Sequence, residues 1–395
     1  MRYAPVTDRL AGLGGAKWDI HFRARKLKSQ GRRVIELTIG EPDVATPDTL
    51  IAAAAASMQA GRTGYSNGRG EPKTLDALAA RYTARRGRTF GADQVICLPG
   101  TQTTLYAVLN TLVTAGDAVL VGDPMYATYE GLIRSTGAEM IPVPLRAEHG
   151  FRMQAADVAA RITPATRVLF LNSPHNPTGA VLSTDDLRAL CAVAATHDLW
   201  VLCDEVYEDM CFPGVKFASP LDLPEYAERV VVASSLSKSH AAPGFRSGWC
   251  VGPAEFMDRL LPLSETMLFG SQPFIADMTA LAVSEGSPVA AEMMARFQRR
   301  AAILFAGLEG IAGLHVHVPQ AGMFCVVDVR ATGLSGEAFA LGLLEAQGVA
   351  VMPGESFGDG LAGWLRISLT QPDELIIEAA ERIGRHALGL KGVAA

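Results

Sequence analysis

Cysteine is scarce in this chain and long apolar runs are missing, and both shortages exclude whole classes of protein. The 395 residues include six cysteines and no Cys-x-x-Cys pair, so the sequence predicts neither a disulfide framework nor a zinc site. No run reaches the roughly 18 apolar residues that a membrane span needs. No signal-like apolar segment opens the chain, and we therefore expect a cytoplasmic protein with reduced thiols.

The chain also has fewer basic than acidic residues. Asp and Glu outnumber Lys and Arg by 41 to 35, which gives a formal net charge of −6. Nucleic acids are bound mainly through clustered Lys and Arg, so this balance disfavours a nucleic-acid partner. Apolar residues make up 49% of the chain and charged residues 19%, which is typical of a globular protein with a sizeable core.

The length predicts two domains, because one hydrophobic core rarely serves so many residues. From about residue 94 to 235, short apolar runs typical of buried strands alternate with helix-like segments. This rhythm predicts an α/β domain with a mostly parallel sheet between helices, and a smaller α+β domain after the rhythm changes. The predicted division is an N-terminal arm with part of the small domain at 1–45, a large domain at 46–285 and a small domain at 286–395.

Lys238 is one of only seven lysines in a chain that has twenty-eight arginines. It follows the apolar run Arg229 to Ala233, which predicts a buried strand, and its neighbours are small hydroxyl residues and glycines. An amine in a partly desolvated site attacks carbonyl groups and forms a Schiff base with them. On this segment alone, an ordinary exposed loop lysine is an equally good interpretation.

Other polar side chains also follow predicted strands, where parallel sheets bind their ligands. The turn from Pro99 to Thr104 offers free N–H groups and hydroxyls to an anion such as phosphate, although such turns are also common helix caps. Asp204 ends an apolar strand and needs a cationic partner there, unless it only caps the strand. Taken together, the amine, the anion site and the acid describe a binding site for pyridoxal 5′-phosphate.

Seven short motifs are spread in order over nearly the whole chain. They are Gly40-x-Pro42, Pro124-x-Tyr126, Asn176-Pro177-Thr178-Gly179, Asp204-x-x-Tyr207, Ser235-x-x-Lys238, Arg246-x-Gly248 and Arg366-Ile367-Ser368. In this order they resemble the class I/II aminotransferases of fold type I, in the aspartate-aminotransferase-like branch. The resemblance implies a mostly parallel seven-stranded sheet, pyridoxal phosphate as cofactor and a homodimer with shared active sites. It also implies a ping-pong transfer of an amino group from an L-amino acid to a 2-oxo acid.

The resemblance implies a role for each of these residues. Lys238 is expected to bind the cofactor covalently and to move the proton at the substrate α-carbon, while Asp204 keeps the pyridine nitrogen protonated. Arg366 is expected to bind the substrate α-carboxylate, with Gly40 and Asn176 beside it. The other expected cofactor contacts are Tyr126 on the ring face, Asn176 and Tyr207 at the ring hydroxyl, Thr101, Gln102, Ser235 and Arg246 at the phosphate, and Tyr65 at the phosphate of a neighbouring subunit.

The substrate pocket departs from that of the dicarboxylate-specific members of the family. Where those enzymes have an arginine shortly before a Ser-Asn-Pro segment, this chain has Met267 before the segment Ser271 to Pro273. We therefore expect a basic or neutral amino donor, with pyruvate or 2-oxoglutarate as the acceptor. A basic side chain would need a carboxylate near the pocket mouth, and Asp19 is a candidate unless it only caps a helix.

Two other functions stay open from the sequence alone. The first is a lyase of the C–S β-lyase type on the same fold, because the carbanion stabilised by this cofactor can react in several ways. The second is a non-catalytic, aminotransferase-like sensor domain of a transcription regulator. The acidic net charge argues against the DNA binding that such a regulator requires.

Overall fold

Two β-sheets, one of seven strands and one of five, organise the chain. The structure is a computed structural model that describes residues 1–13 and 15–393. Most strand residues are buried, because these segments are rich in apolar and β-branched side chains. In chain order the strands are β1 (Ile35–Leu37), β2 (Val95–Leu98), β3 (Ala118–Asp123), β4 (Glu139–Pro144), β5 (Thr166–Asn172), β6 (Trp200–Asp204), β7 (Val230–Ser235), β8 (Gly248–Val251), β9 (His315–His317), β10 (Phe324–Asp328), β11 (Val349–Pro353) and β12 (Trp364–Ser368).

Helices cover both sheets, and none of those in the described part of the chain is long and apolar enough to cross a membrane. Helix α5 starts directly after β2, so its free N–H groups lie at the same edge of the sheet as the end of that strand. The helices are α1 (Pro5–Arg9), α2 (Asp19–Ser29), α3 (Asp48–Gln59), α4 (Pro72–Arg86), α5 (Gly100–Leu112), α6 (Tyr129–Thr136), α7 (Ala155–Ala159), α8 (Thr184–Thr196), α9 (Ala254–Leu268), α10 (Pro273–Glu285), α11 (Ala290–Leu308), α12 (Gly336–Gln347) and α13 (Asp373–Val393).

The seven-stranded sheet has the strand order β2-β8-β7-β6-β5-β3-β4. Strands β7, β6, β5, β3 and β4 are parallel, whereas β8 is antiparallel to both of its neighbours. Strand β2 therefore runs in the same direction as the parallel strands, and their carboxyl ends share one edge. The predicted mostly parallel seven-stranded sheet is confirmed.

The five-stranded sheet has the order β1-β11-β12-β10-β9. Strand β1 near the N-terminus pairs in parallel with β11 near the C-terminus, so the two ends of the chain build one sheet. Side chains from α11, α12 and α13, such as Phe297, Phe339 and Ile383, form a buried cluster with this sheet. The domain boundaries after residues 45 and 285 stay a prediction.

Candidate active site

A cavity of about 280 Å³ lies at the carboxyl edge of the seven-stranded sheet. The register of the sheet places Asn172 beside Asp204 and Asp204 beside Ala233, so the ends of β5, β6 and β7 meet there. Strands β10 and β12 of the smaller sheet add Phe324 and Arg366 to the cavity wall. All of the predicted site residues except Tyr65 line this cavity: Gly40, Thr101, Gln102, Tyr126, Asn176, Asp204, Tyr207, Ser235, Lys238, Arg246 and Arg366.

Lys238 lies in the turn after β7 and reaches into this cavity. Its Nζ donates a hydrogen bond of 2.8 Å to the backbone oxygen of Gly40. Burial lowers the pKa of the amine to about 8, and the negative charge of Glu41 partly opposes this shift. Since only the neutral amine attacks a carbonyl, burial makes Lys238 a better nucleophile at neutral pH than an exposed lysine.

Asp204 is the last residue of β6 and is buried. Its carboxylate accepts hydrogen bonds from the Tyr129 hydroxyl at 2.7 Å and from the Val206 backbone N–H at 3.0 Å. Burial raises the pKa of the carboxyl to about 6, although both hydrogen bonds favour the charged form. A cationic group of a ligand would stabilise the charged carboxylate at this position.

Tyr129 is a site residue that the sequence analysis did not identify. It is the first residue of α6, its side chain is buried, and its ring lies edge-on to that of Tyr126 at 5.6 Å between centroids. Tyr126 lies in the loop three residues before the helix, and its backbone oxygen accepts a hydrogen bond from the Tyr129 N–H at 3.0 Å, so a turn brings the two rings together. The sequence gives no local signal for this contact.

The turn between β2 and α5 forms an anion site together with Arg246. The hydroxyl of Thr101 is buried and has no hydrogen-bond partner among the described residues. Gly100 has a φ of 80°, and a Cβ at this position would collide with Nη2 of Arg246. The guanidinium donates hydrogen bonds to the backbone oxygens of Pro243 and Pro99 at 2.7 and 3.1 Å. The free hydroxyl, the N-terminus of α5 and the guanidinium are donors that a phosphate accepts.

Arg366 on β12 is 1% exposed and faces the cavity from the smaller sheet. Its guanidinium carbon lies 3.9 Å from the ring centroid of Phe324 and 4.3 Å from that of Phe357. One Nη donates to the backbone oxygen of Thr38 at 2.6 Å and the other to Oδ1 of Asn176 at 3.3 Å, while the buried Nε has no partner among the described residues. Burial lowers the pKa of Arg366 to about 10, so the group is still a cation at neutral pH and can bind a carboxylate.

Asn176 connects Arg366 with Tyr207. Its side chain accepts the hydrogen bond from Arg366. Burial raises the pKa of the Tyr207 phenol, and the Asn176 side chain partly opposes this shift. The backbone N–H of Asn176 donates to Oδ1 of Asn172 at 2.9 Å, which fixes the turn after β5. An amide and a phenol therefore lie side by side in the cavity wall.

Tyr65 does not line the cavity of its own chain. Its side chain is 89% exposed, and its ring packs edge-on against that of Phe269 at 4.9 Å between centroids. Phe269 is itself 64% exposed, so the two rings form an apolar surface patch of the kind found at protein interfaces. The predicted place of Tyr65 in the site of a neighbouring subunit stays a prediction.

The two residues considered for substrate specificity lie outside the cavity wall. Asp19 is exposed in the first turn of α2, whereas its neighbour Trp18 lines the cavity. Met267, near the end of α9, packs against a hydrophobic cluster of the large sheet. The residue at the N-cap position of α2 is Trp18, so Asp19 is the first residue of the helix and not its cap.

Sequence and structure comparisons agree on what this chain resembles. The family model for aminotransferase class I and II matches residues 32–383. The chain is 44% identical over 394 residues to the arginine–pyruvate transaminase of Pseudomonas aeruginosa, and the match covers 100% of both proteins. It is 30% identical to the aspartate aminotransferase of Musicola paradisiaca, over 96% of this chain and 95% of the relative.

A solved structure of the aspartate aminotransferase from Thermus thermophilus with maleate aligns with a TM-score of 0.90 at 30% identity, over 98% of this chain and 100% of that one. The predicted architecture of fold type I is confirmed by this match. Neither the lyase nor the sensor domain is favoured by the relatives, which are named as transaminases. The chain is an aminotransferase and belongs to the class I and II aminotransferase family.

Proposed function

We propose that this aminotransferase uses pyridoxal phosphate and transfers the amino group of a basic or neutral L-amino acid to pyruvate or 2-oxoglutarate. The observation that carries the proposal is the convergence of four groups on one cavity. They are the amine of Lys238, the carboxylate of Asp204, the anion site around Thr101 and the guanidinium of Arg366. The single cavity supports a ping-pong reaction in which donor and acceptor occupy the same place in turn.

The residues of the cavity fit pyridoxal phosphate. Thr101 offers a buried hydroxyl without a partner among the described residues, and Gly100 leaves open the space that a side chain would fill beside Arg246. Asp204 is a buried carboxyl whose raised pKa falls again when a cationic ring nitrogen is near. The phosphate would be held by Thr101, Gln102, Ser235 and Arg246, the ring by Tyr126, Asp204, Asn176 and Tyr207, and the aldehyde by Lys238.

When bound, the cofactor supplies an electron sink for the negative charge that develops at the substrate α-carbon. Arg366 binds the α-carboxylate of the donor through its free N–H groups and thereby orients the α-carbon. Nζ of Lys238, neutral above its lowered pKa, takes the proton from that carbon as a general base. The Asp204 carboxylate, which is oriented by the hydrogen bond from Tyr129, places its own negative charge at the other end of the site, where the ring nitrogen would lie.

The charge of the cavity supports a donor with a single carboxylate. Among the described residues that line it, the cations are Lys238, Arg246 and Arg366. Each already has a proposed partner: the cofactor aldehyde, the phosphate and the α-carboxylate. A second substrate carboxylate would find no further cation in this wall. The relative with 44% identity is named for arginine and pyruvate, which also supports a basic donor.

We further propose a homodimer in which Tyr65 completes the phosphate site of the partner subunit. The exposure of Tyr65 and Phe269 supports this assembly, because aromatic side chains are costly to leave in water and are enriched at interfaces. Tyr65 lies exposed on a glycine-rich loop and does not line the cavity of its own chain, which leaves its side chain accessible to another subunit.

A panel of half-reactions tests the proposed substrates. The enzyme saturated with pyridoxal phosphate is mixed with arginine, lysine, alanine, glutamate or aspartate, and the loss of the cofactor's visible absorbance is followed. We expect conversion with the basic or neutral donors, one keto acid per amino group and no release of ammonia. A clear preference for aspartate or glutamate over every neutral and basic donor would contradict the proposed donor class, and stoichiometric ammonia would indicate a lyase.

A further inference from the structure

A second cluster of charged side chains lies behind the cavity and takes no part in the chemistry proposed above. It joins helix α4 to the turn that follows β6, and none of its members lines the cavity. Its members are Arg81, Arg85 and Arg86 from the helix and Glu205, Glu208 and Asp209 from the turn.

Arg81 is central to this cluster and is 8% exposed. Its Nη2 lies 2.7 Å from Oε1 of Glu208 and 2.7 Å from Oδ2 of Asp209. Arg86 donates to the second oxygen of Glu208 at 2.9 Å. Arg85 donates to the second oxygen of Asp209 at 2.6 Å. The carboxylates of Glu208 and Asp209 are therefore each held at both oxygens by α4, whereas Glu205 accepts a hydrogen bond from Ser219 at 2.6 Å and lies 3.6 Å from Arg86.

The turn presents two faces, and the charged cluster holds only one of them. Asp204 and Tyr207 line the cavity, whereas Glu205 and Glu208 point to α4. The backbone N–H of Glu208 donates to the oxygen of Glu205 at 2.8 Å, which is the hydrogen bond of a tight turn. Residues three apart in such a turn lie on the same side, so the cluster and the catalytic groups occupy opposite sides of one short segment.

The sheet itself holds this segment only at its beginning. The N–H of Glu205 still donates to the backbone oxygen of Ala233 in β7 at 2.9 Å, and the chain then leaves the ladder. Beyond Glu205 the arginines of α4 hold the side chains of Glu208 and Asp209, and the far end of the turn is held by the hydrogen bond from the Gly322 N–H to the backbone oxygen of Met210 at 2.8 Å. Because these charges are buried, the loss of one partner leaves the others uncompensated and favours a different arrangement of the turn.

We propose that Arg81 and Arg86 are positioning residues, which fix the turn through Glu208 and Asp209 and so place the Asp204 carboxylate and the Tyr207 hydroxyl for the cofactor. This inference rests on the roles proposed above for Asp204 and Tyr207. Burial lowers the pKa of His240, two residues from Lys238, to about 4, and the positive charge of Arg81 lowers it further.

The test compares Arg81→Met with Arg81→Lys, which keeps the charge, and with Glu208→Gln, which keeps the shape of the carboxylate. Arg146→Met is the matched control, because Arg146 forms a pair of hydrogen bonds with Asp157 at 2.6 and 3.2 Å away from the cavity wall. The dissociation constant of pyridoxal phosphate from the protein is measured through tryptophan fluorescence, for which Trp18 in the cavity wall is a reporter. The values of kcat and KM are then taken at saturating cofactor, and the melting temperature without it.

We expect Arg81→Met and Glu208→Gln to raise the dissociation constant about tenfold or more and to lower kcat by a similar factor, as for a displaced catalytic group. The donor KM should change little, because Arg366 is untouched, and Arg81→Lys should recover most of the loss. Arg146→Met should lower only the melting temperature. If Arg81→Met does not fold, Glu208→Gln decides the question alone.

The inference would be overturned if Glu208→Gln and folded Arg81→Met kept the cofactor affinity and the kcat of the wild type and lost only melting temperature. The cluster would then have a purely structural role. Failure of the wild-type protein to bind pyridoxal phosphate would instead overturn the proposed function, and the inference with it. Cofactor binding by the wild-type protein therefore distinguishes failure of the proposed function from failure of the inference alone.

Discussion

Tyr129 donates a hydrogen bond of 2.7 Å to Oδ2 of Asp204, and both side chains are buried. The hydrogen bond favours the charged carboxylate and burial favours the neutral acid. Burial is the larger effect, since the pKa of Asp204 is raised to about 6. This carboxyl is therefore stabilised as an anion when a ligand brings positive charge to it, which is what a protonated pyridine nitrogen does.

Tyr129→Phe removes this donor and keeps the ring. We expect kcat/KM to fall roughly 10- to 100-fold, because a hydrogen bond to a charged group contributes about 1.5–3 kcal/mol. The measurement is steady-state kinetics at saturating cofactor. Tyr106→Phe, on a partly exposed tyrosine of α5, is the control and should leave kcat/KM unchanged. A wild-type value for Tyr129→Phe would show that the bond does not serve catalysis.

Asp204→Asn should have opposite effects on activity and on stability. The rise of its pKa from 3.8 to about 6 corresponds to roughly 3 kcal/mol at neutral pH, which the uncharged amide avoids. We expect the cofactor-free variant to unfold at a higher denaturant concentration than the wild type. Removal of the substrate α-proton should slow by several orders of magnitude, because the charge opposite the ring nitrogen is lost. A near-normal rate would refute the role of Asp204.

The lowered pKa of Lys238 predicts a pH dependence of stability. Its value of about 8 lies below the ordinary 10.5, so the unfolded chain binds more protons than the folded one between these two pH values. The free energy of unfolding of the cofactor-free protein should therefore rise with pH across this window. Lys238→Met removes the contribution, and the difference between the two denaturation curves isolates it. A difference that is constant from pH 7.5 to about 10.5 would contradict the lowered pKa.

Arg366→Lys keeps a cation in the cavity and loses the planar guanidinium. We expect kcat/KM for the amino donor to fall roughly 100-fold or more, mainly through KM, because lysine does not form the bidentate contact with a carboxylate. Cofactor binding should be retained. Arg330→Lys, on an exposed arginine paired with Asp328, is the control. Equal kcat/KM for Arg366→Lys and wild type would place the α-carboxylate elsewhere.

Subunit mixing tests the shared site. Tyr65→Phe and Lys238→Ala subunits are each expected to form poorly active or inactive homodimers, whereas their heterodimer has one site free of both changes. The mixture should therefore regain activity above the sum of the two separate samples. An active monomer at the dilution of the assay would contradict the proposed dimer.

The sequence predicted those elements and residues whose signals are local. Helix α4 spans Pro72–Arg86, and both of its boundaries are marked in the sequence, by a proline at its first position and by Gly87 at its end. Strand β8 was missed, since its four residues are defined by pairing with β2 and β7 rather than by a period of their own. Helix α9 was missed as well, and it contains Pro262, which usually signals a break.

The same distinction applies to the site. Lys238 follows the apolar strand β7 and Asp204 ends the apolar strand β6, a pattern visible in the sequence. The contact of Arg81 with Glu208 joins residues 127 positions apart in the sequence, and no local sequence pattern predicts it. Only the packing of α4 against the turn after β6 brings these two side chains together.

Lys238 is the residue proposed to bind the cofactor covalently. The direct measurement is reduction of the cofactor-loaded wild-type protein with borohydride, followed by proteolysis and mass spectrometry of the peptides. We expect the phosphopyridoxyl group on the peptide that contains Lys238 and its loss in Lys238→Ala. A label on any other lysine, or none at all, would contradict it.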